Sequence, residues 1–230
     1  GALSIGLMFG LLLLVLATIT FVVFIERAQR RLLVQYPKRQ VGNKMFGGDN
    51  SHLPLKLNTS GVIPAIFASS LLLMPITIAN FSAGQGPDWV NSVTTLLGRG
   101  QPLYMIIYAS LIVFFCYFYT AIVFNPEDTA DNLKKQGGFI PGVRPGERTA
   151  QYIDYVLTRL TVVGSIYLVL VCLLPEFLIS RYAVPFYFGG TSVLIIVNVA
   201  MDTMTQFQGY LFAHQYEGLL KKSKLGSRKR

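Results

Sequence analysis

The stretch Asn58–Pro75, NTSGVIPAIFASSLLLMP, decides the class of this protein, because it is apolar enough to enter a bilayer. It also carries residues that weaken membrane helices: Pro64 near its start, the pair Ser69 and Ser70 in its middle, and Pro75 at its end. Pro costs least in the first turn of a helix, and small residues let membrane helices pack closely. The pattern fits either ordinary close packing or a mobile wall that separates from a neighbour at low cost.

The rest of the chain has the composition of a membrane protein. Of its 230 residues, 52% are hydrophobic and only 13% are charged, and the mean hydropathy is +0.49. A spanning helix needs about 20 mostly apolar residues. We predict an all-α polytopic membrane protein with five transmembrane helices, at about 2–25, 61–81, 103–124, 155–174 and 190–206. The chain starts at Gly1 close to an apolar run, and we expect it to be a piece of a longer protein.

The basic residues predict how these helices are oriented. Of the 20 Lys and Arg residues, all but Arg99, Arg159 and Arg181 lie in alternate segments between or after the spans. Because cytoplasmic loops collect Lys and Arg, we expect these segments to face the cytoplasm. They are the loops 26–57 and 125–151 and the tail 207–230. The N-terminus of the chain is then outside and its C-terminus cytoplasmic.

The two cytoplasmic loops carry more structure than topology requires. In the first, Pro37 and the turn signal Gly42-Asn43 predict a projecting hairpin. Its tip holds Lys38, Arg39 and Lys44. A basic projection suits an acidic or nucleic-acid partner, although such charges usually only fix orientation or attract anionic lipid.

The second loop combines a short polar helix with a glycine- and proline-rich segment. Asn125-Pro126 ends the third span, and Glu127 begins the polar helix. The following segment, GGFIPGVRPGE, is too rich in Gly and Pro to be helical. We expect an ordered loop that presents Arg144.

Two charges within the spans need partners at membrane depth. Arg159 and Asp202 lie roughly 24 and 20 Å from the outer ends of their helices at 1.5 Å per residue. We therefore predict a structural ion pair between them, near the cytoplasmic interface.

The sequence carries no pattern of enzyme chemistry or of a resident cofactor. His52 and His214 are isolated, so no metal-ligand cluster is expected. Cys116 and Cys172 both lie inside apolar runs, where we expect buried or lipid-facing thiols rather than a disulfide. We predict neither an enzyme nor a cofactor site.

Three long segments resemble one family. SHLPLKLNTSGVIPAIFASSLL at 51–72, the segment 119–154 from YTAIVFNPED to ERTAQYID, and PFYFGGTSVLII at 185–196 look like the C-terminal half of bacterial SecY, the channel subunit of the protein translocase. The resemblance implies that the five spans are the sixth to tenth of a ten-helix, pseudo-symmetric channel in the bacterial inner membrane. The channel passes unfolded secretory polypeptides and releases membrane segments sideways through a lateral gate.

The resemblance also implies roles for individual residues. Ile66 and Ile195 would line the pore constriction, and Asn58 and Ser70 would belong to the lateral gate. The basic residues at the hairpin tip, together with Arg144, would dock the ATPase SecA and the ribosome. The other implied partners are SecE, SecG, a signal sequence or nascent polypeptide, the N-terminal half of the same subunit, and membrane lipids.

Two other functions remain open from the residues alone. Half of an ion-coupled secondary transporter would also be a bundle of apolar helices, but it would place ionisable groups at mid-depth. A scaffold that only docks a cytoplasmic partner would need no apolar constriction.

Overall fold

The computed structural model describes residues 4–82, 86–98, 100–182 and 190–227. Arg99, the first two residues of the first predicted span, the last three of the tail, and residues 183–189 before the fifth span lie outside these ranges. The elements are α1 (Ile5–Arg27), β1 (Gln29–Gln35), β2 (Arg39–Val41), β3 (Lys44–Phe46), β4 (Asn50–Lys56), α2 (Ile63–Phe81), α3 (Asp88–Leu96), α4 (Pro102–Val123), α5 (Pro126–Lys135), α6 (Glu147–Tyr182) and α7 (Gly190–Ser227).

Four helical ranges of the described chain are long and apolar enough to cross a membrane: Ile5–Arg27, Ile63–Phe81, Pro102–Lys135 and Glu147–Leu178. They overlap the first four predicted spans. The fifth predicted span, 190–206, forms the first half of α7 but is not among the four ranges. Asn198, Asp202 and Gln206 dilute the apolar character of this half-helix.

Helix α4 lies against both α2 and α6, and α6 also lies against α7 and α1. Small side chains make the close approach of α2 possible, since Ala65 and Ala68 are fully buried one turn apart. Ile112 of α4 and Leu168 of α6 are also fully buried in this core. The bundle is therefore held by tight packing of small against large side chains.

A second, smaller core lies under the first loop. Strands β1 and β4 pair antiparallel, from Gln29 opposite Lys56 to Gln35 opposite Asn50. Leu32 and Val34 alternate with exposed residues along β1 and are buried, as expected for a sheet covered on one face. They pack in one cluster with Leu133 of α5 and with residues of α6.

The predicted hairpin is present at the far end of this sheet. Strands β2 and β3 pair from Arg39 opposite Phe46 to Val41 opposite Lys44. The connecting turn contains Gly42 at φ 65°, a conformation that side chains with a Cβ rarely adopt. The hairpin therefore projects from a sheet that is itself anchored on α5 and α6.

The second loop begins with the predicted polar helix. The Asn125 side-chain oxygen accepts a 3.0 Å hydrogen bond from the Glu127 backbone amide, which caps α5. Acidic residues occupy its first turn and Lys134 and Lys135 its last, which suits the helix dipole. After α5, the Thr149 hydroxyl donates a 2.9 Å hydrogen bond to the Arg144 carbonyl, which ties the glycine- and proline-rich loop to the start of α6.

Candidate functional site

Helix α2 has two different faces. Ala65, Ala68 and Leu72 are buried against the bundle. Ile66, Ser70 and Leu73 follow one another at helical spacing and are all exposed. The helix therefore offers one free face with a hydroxyl group between apolar side chains.

The same arrangement recurs at the start of α7. Leu194 and Val197 are buried, whereas Ile195 between them is exposed. The exposed fractions of Ile66 and Ile195 are 38% and 40%. Both predicted constriction residues thus lie on surfaces that another polypeptide can cover.

Asn58 lies at a different kind of place from Ser70. Its side chain is only 4% exposed and makes three hydrogen bonds within the chain. The amide nitrogen Nδ2 donates to Glu26 Oε1 at 3.0 Å and to the Gly61 carbonyl at 3.2 Å, and Oδ1 accepts from the Ser60 hydroxyl at 3.1 Å. Of the two predicted gate residues, Ser70 therefore lies on α2 and Asn58 lies in the turn before it. The structure does not bring their side chains together.

The same contacts show how Asn58 acts at the start of α2. Val62 is the N-cap residue, and it makes no side-chain capping bond. Asn58 and Ser60 therefore stabilise the turn that leads into the helix, rather than its first amides.

Glu26 is the residue that sequence reasoning missed. It is 8% exposed at the end of α1, and its Oε1 also accepts a 3.2 Å hydrogen bond from the Tyr167 hydroxyl of α6. A buried carboxylate is costly unless it is hydrogen-bonded, and here one oxygen has two donors. The only signal in the sequence is an acidic residue at the end of an apolar run. The predicted boundary at residue 25 places this residue in the loop.

The four predicted docking residues are all exposed on the unit formed by the two loops. Lys38 precedes β2, Arg39 and Lys44 lie on the hairpin strands, and Arg144 lies in the second loop. Among the described residues, none of the four is part of an ion pair. They form an uncompensated basic surface, which favours an acidic partner.

The two loops are directly joined. The Gln35 amide donates to the Phe139 carbonyl at 2.8 Å, and the Phe139 amide donates to the Gln35 carbonyl at 2.9 Å. Gly138 lies against Val34 and Tyr36, where a Cβ would approach both side chains to 3.0 Å. The hairpin and the loop that carries Arg144 are thus parts of one unit.

The predicted ion pair of Arg159 and Asp202 is not formed. The Arg159 guanidinium lies 4.5 Å from the centre of the Tyr155 ring, one turn away on α6. Both Arg159 and Asp202 are exposed. A cation over an aromatic face is a favourable partner in itself, so Arg159 does not need the carboxylate.

Within the described ranges, no group of three or more His, Cys, Asp or Glu side chains could hold a metal ion. Cys116 and Cys172 are both buried free thiols. The candidate functional surfaces are the two free isoleucine faces, the polar cluster of Glu26 and Asn58, and the basic unit formed by the two loops.

Comparison with known proteins places these surfaces in a family. The SecY family model matches residues 2–204. The chain is 57% identical to the protein translocase subunit SecY of Rickettsia conorii over 98% of its length, and 57% identical to that of Escherichia coli K12 over 92%. It spans about half the length of these curated relatives, 52% and 48%.

Solved structures agree with the fold. A SecY structure described in terms of its plug domain matches 84% of this chain and 47% of its own, with a TM-score of 0.56 and 19% identity. A second, described as a protein conducting channel, matches 83% of this chain with a TM-score of 0.53. The prediction of a mostly helical, polytopic membrane protein is confirmed. The chain belongs to the SecY family.

Proposed function

We propose that this chain is the C-terminal half of the central channel subunit of a Sec translocase. Together with an N-terminal half it would pass unfolded secretory polypeptides across the bacterial inner membrane. It would release membrane segments sideways through a lateral gate. The observation that carries the proposal is the SecY family match over residues 2–204, together with one free isoleucine face on each of α2 and α7.

Ile66 and Ile195 would line the constriction of this channel. Aliphatic side chains offer water and ions no hydrogen bonds, so a narrow ring of them resists ion flow. Flexible side chains of this kind can still part around an extended polypeptide. The free faces of α2 and α7 support this role, because neither isoleucine is packed into the half itself.

Helix α2 would be the gating helix. Its buried face is made of small residues, and its exposed face carries Ser70 between Ile66 and Leu73. Hydrogen bonds between membrane helices contribute only about 0.6 kcal/mol each on average, so a seam made of them can open repeatedly. Asn58 would act in this gate from the start of the helix, and Ser70 from its free face.

The basic cytoplasmic unit would dock SecA and the ribosome. Lys38, Arg39, Lys44 and Arg144 are exposed on two loops that are joined by backbone hydrogen bonds. In the membrane, the partners would be SecE, SecG, lipids and the N-terminal half of the same subunit. The N-terminus of this chain would be outside and the C-terminus cytoplasmic, because the basic residues concentrate on one side.

Ion-coupled transport is the less favoured alternative. A transporter half would need ionisable groups at mid-depth. Glu26 lies just after the predicted span 2–25, and Asp202 lies near the predicted cytoplasmic end of the span 190–206. The channel is also the activity that the family match supports.

The decisive test is Ile66→Asn in the full-length protein, reconstituted into lipid vesicles. A polar side chain in the constriction should let the resting channel leak ions. Leu71→Asn is the matched control, because Leu71 is exposed on the same helix about 140° away from Ile66. Equal ion flux through the wild-type and both variant channels would contradict the pore role.

A further inference from the structure

We propose that Glu26 is a positioning residue that holds the start of α2 to α1 and α6, and thereby keeps the proposed gate closed. The proposal rests on the proposed function, since it assigns a regulator to the same gating helix. Glu26 is part of neither the proposed constriction nor the proposed docking surface.

The first support is the set of bonds around this carboxylate. Glu26 Oε1 accepts from Asn58 Nδ2 at 3.0 Å and from the Tyr167 hydroxyl at 3.2 Å. One buried oxygen thus connects α1, the turn before α2, and α6. Two donors share this one buried oxygen, so the junction is stronger than a single seam contact along α2.

The second support is independent of the carboxylate. Gly164 of α6 lies so close to the same turn that a Cβ there would be 2.7 Å from the Leu57 carbonyl oxygen and 3.4 Å from the Asn58 Cα. Only glycine permits this approach. The backbone of 57–58 is therefore packed closely onto α6, near the point where Glu26 accepts hydrogen bonds from both Asn58 and Tyr167.

The start of α2 is held partly by packing and partly by the Asn58 side chain. Pro64 and Ala65, in the first turn of α2, are buried in the bundle. Val62 caps α2 without a side-chain bond. Asn58 is therefore the polar anchor of the turn before α2, and Glu26 joins its side chain to α1.

Removing the carboxylate should therefore loosen α2 without altering the constriction. Glu26→Ala removes both bonds, and we expect roughly a tenfold higher resting ion leak from the loss of two buried hydrogen bonds. Glu26→Gln keeps an acceptor oxygen for Asn58 and Tyr167, so its leak should stay close to that of the wild type.

The experiment uses full-length protein in vesicles. It measures resting ion flux and the translocation of a precursor with a defective signal sequence, normalised to the amount of folded channel. The expected result is that Glu26→Ala raises both and Glu26→Gln raises neither. A structural defect alone would lower the amount of folded channel without increasing acceptance of the defective precursor.

A mutant cycle tests whether Glu26 acts through Asn58. If it does, the double variant Glu26→Ala with Asn58→Ala should leak no more than the leakier of the two single variants. Tyr167→Phe, which removes only one of the two donors, should give a smaller increase and remains informative if Glu26→Ala does not accumulate.

Three outcomes would overturn the proposal: wild-type flux in Glu26→Ala, equal leaks in Glu26→Gln and Glu26→Ala, or additive effects in the cycle. If Glu26→Ala has no effect while Ile66→Asn leaks, only the positioning role fails. If Ile66→Asn does not leak, the proposed function fails first.

Discussion

Gln35 and Phe139 exchange two backbone hydrogen bonds of 2.8 and 2.9 Å, and this short bridge joins two loops that are far apart in sequence. The Tyr36 hydroxyl adds a weak 3.5 Å bond to the Gln136 side chain beside it. A force on the hairpin is therefore transmitted to the α5–α6 loop and to the start of α6. Residues that contact a motor or a ribosome at the tip would thus act on α6 as well as on β1 and β4.

Gly138→Val should break this joint. The added side chain would press on Val34 and Tyr36, since even a Cβ would approach them to 3.0 Å. Overpacking of this kind costs about 1–3 kcal/mol. We expect the backbone amides of Gln35 and Phe139 to exchange hydrogen at least fivefold faster, as measured by hydrogen–deuterium exchange with mass spectrometry.

The matched control for this joint is Gly47→Val, in the first loop. A Cβ on Gly47 would meet no atom within 4 Å, so the bridge should keep its wild-type exchange rate. Unchanged exchange in Gly138→Val would mean that the two loops are not coupled through this contact.

Arg144→Glu should strongly reduce motor-driven export. Arg144 is exposed in a loop that is held in place by the Thr149 bond to its carbonyl, so the charge can be reversed without removing that bond. Reversal places a repulsive charge against an acidic partner. ATP-dependent translocation of a precursor into vesicles should fall at least tenfold.

Arg181→Glu is the charge-matched control for docking. Arg181 is exposed near the end of α6 that we predict to face outward, away from the motor. Export should stay near the wild-type rate. Normal export in Arg144→Glu would show that Arg144 does not contribute to docking.

Labelling of single cysteines should establish the orientation of the chain. Cys116 and Cys172 are buried, so a membrane-impermeant maleimide should give little background. In intact cells, Arg181→Cys should react from outside, whereas Lys44→Cys should react only after the membrane is opened. The opposite pattern would invert the predicted topology.

Most of the helical architecture could be predicted from sequence, because apolar runs and breakers act locally. The run before Glu26 gives α1, and the pair Asn125-Pro126 separates α4 from α5. The hairpin followed in the same way from Gly42-Asn43, where the turn needs a positive φ. These signals need only a few neighbouring residues, so one sequence is enough to show them.

Contacts between distant elements could not be predicted in this way. Arg159 was expected to find Asp202, but the nearer Tyr155 ring satisfies it from one turn away. Glu26 and Asn58 meet because Gly164 lets the turn approach α6, and nothing local to any of the three predicts that meeting. The hydrogen bond between Glu26 and Asn58 therefore depends on tertiary packing and not on the local sequence.

Truncation of Ile112 should lower the stability of the bundle far more than truncation of Ile106 on the same helix. Ile112 is fully buried between α4 and its neighbours, whereas Ile106 is 63% exposed. In a membrane, apolar side chains gain little by leaving lipid for protein, so the loss on truncation is mainly that of packing contacts and the cavity left behind. Ile112→Ala should therefore cost about 2 kcal/mol, the lower end of the range for such truncations.

Thermal unfolding of the full-length protein in detergent should show a midpoint several degrees lower for Ile112→Ala and nearly unchanged for Ile106→Ala. Equal midpoints for the two variants would mean that α4 is not the packing centre of this half.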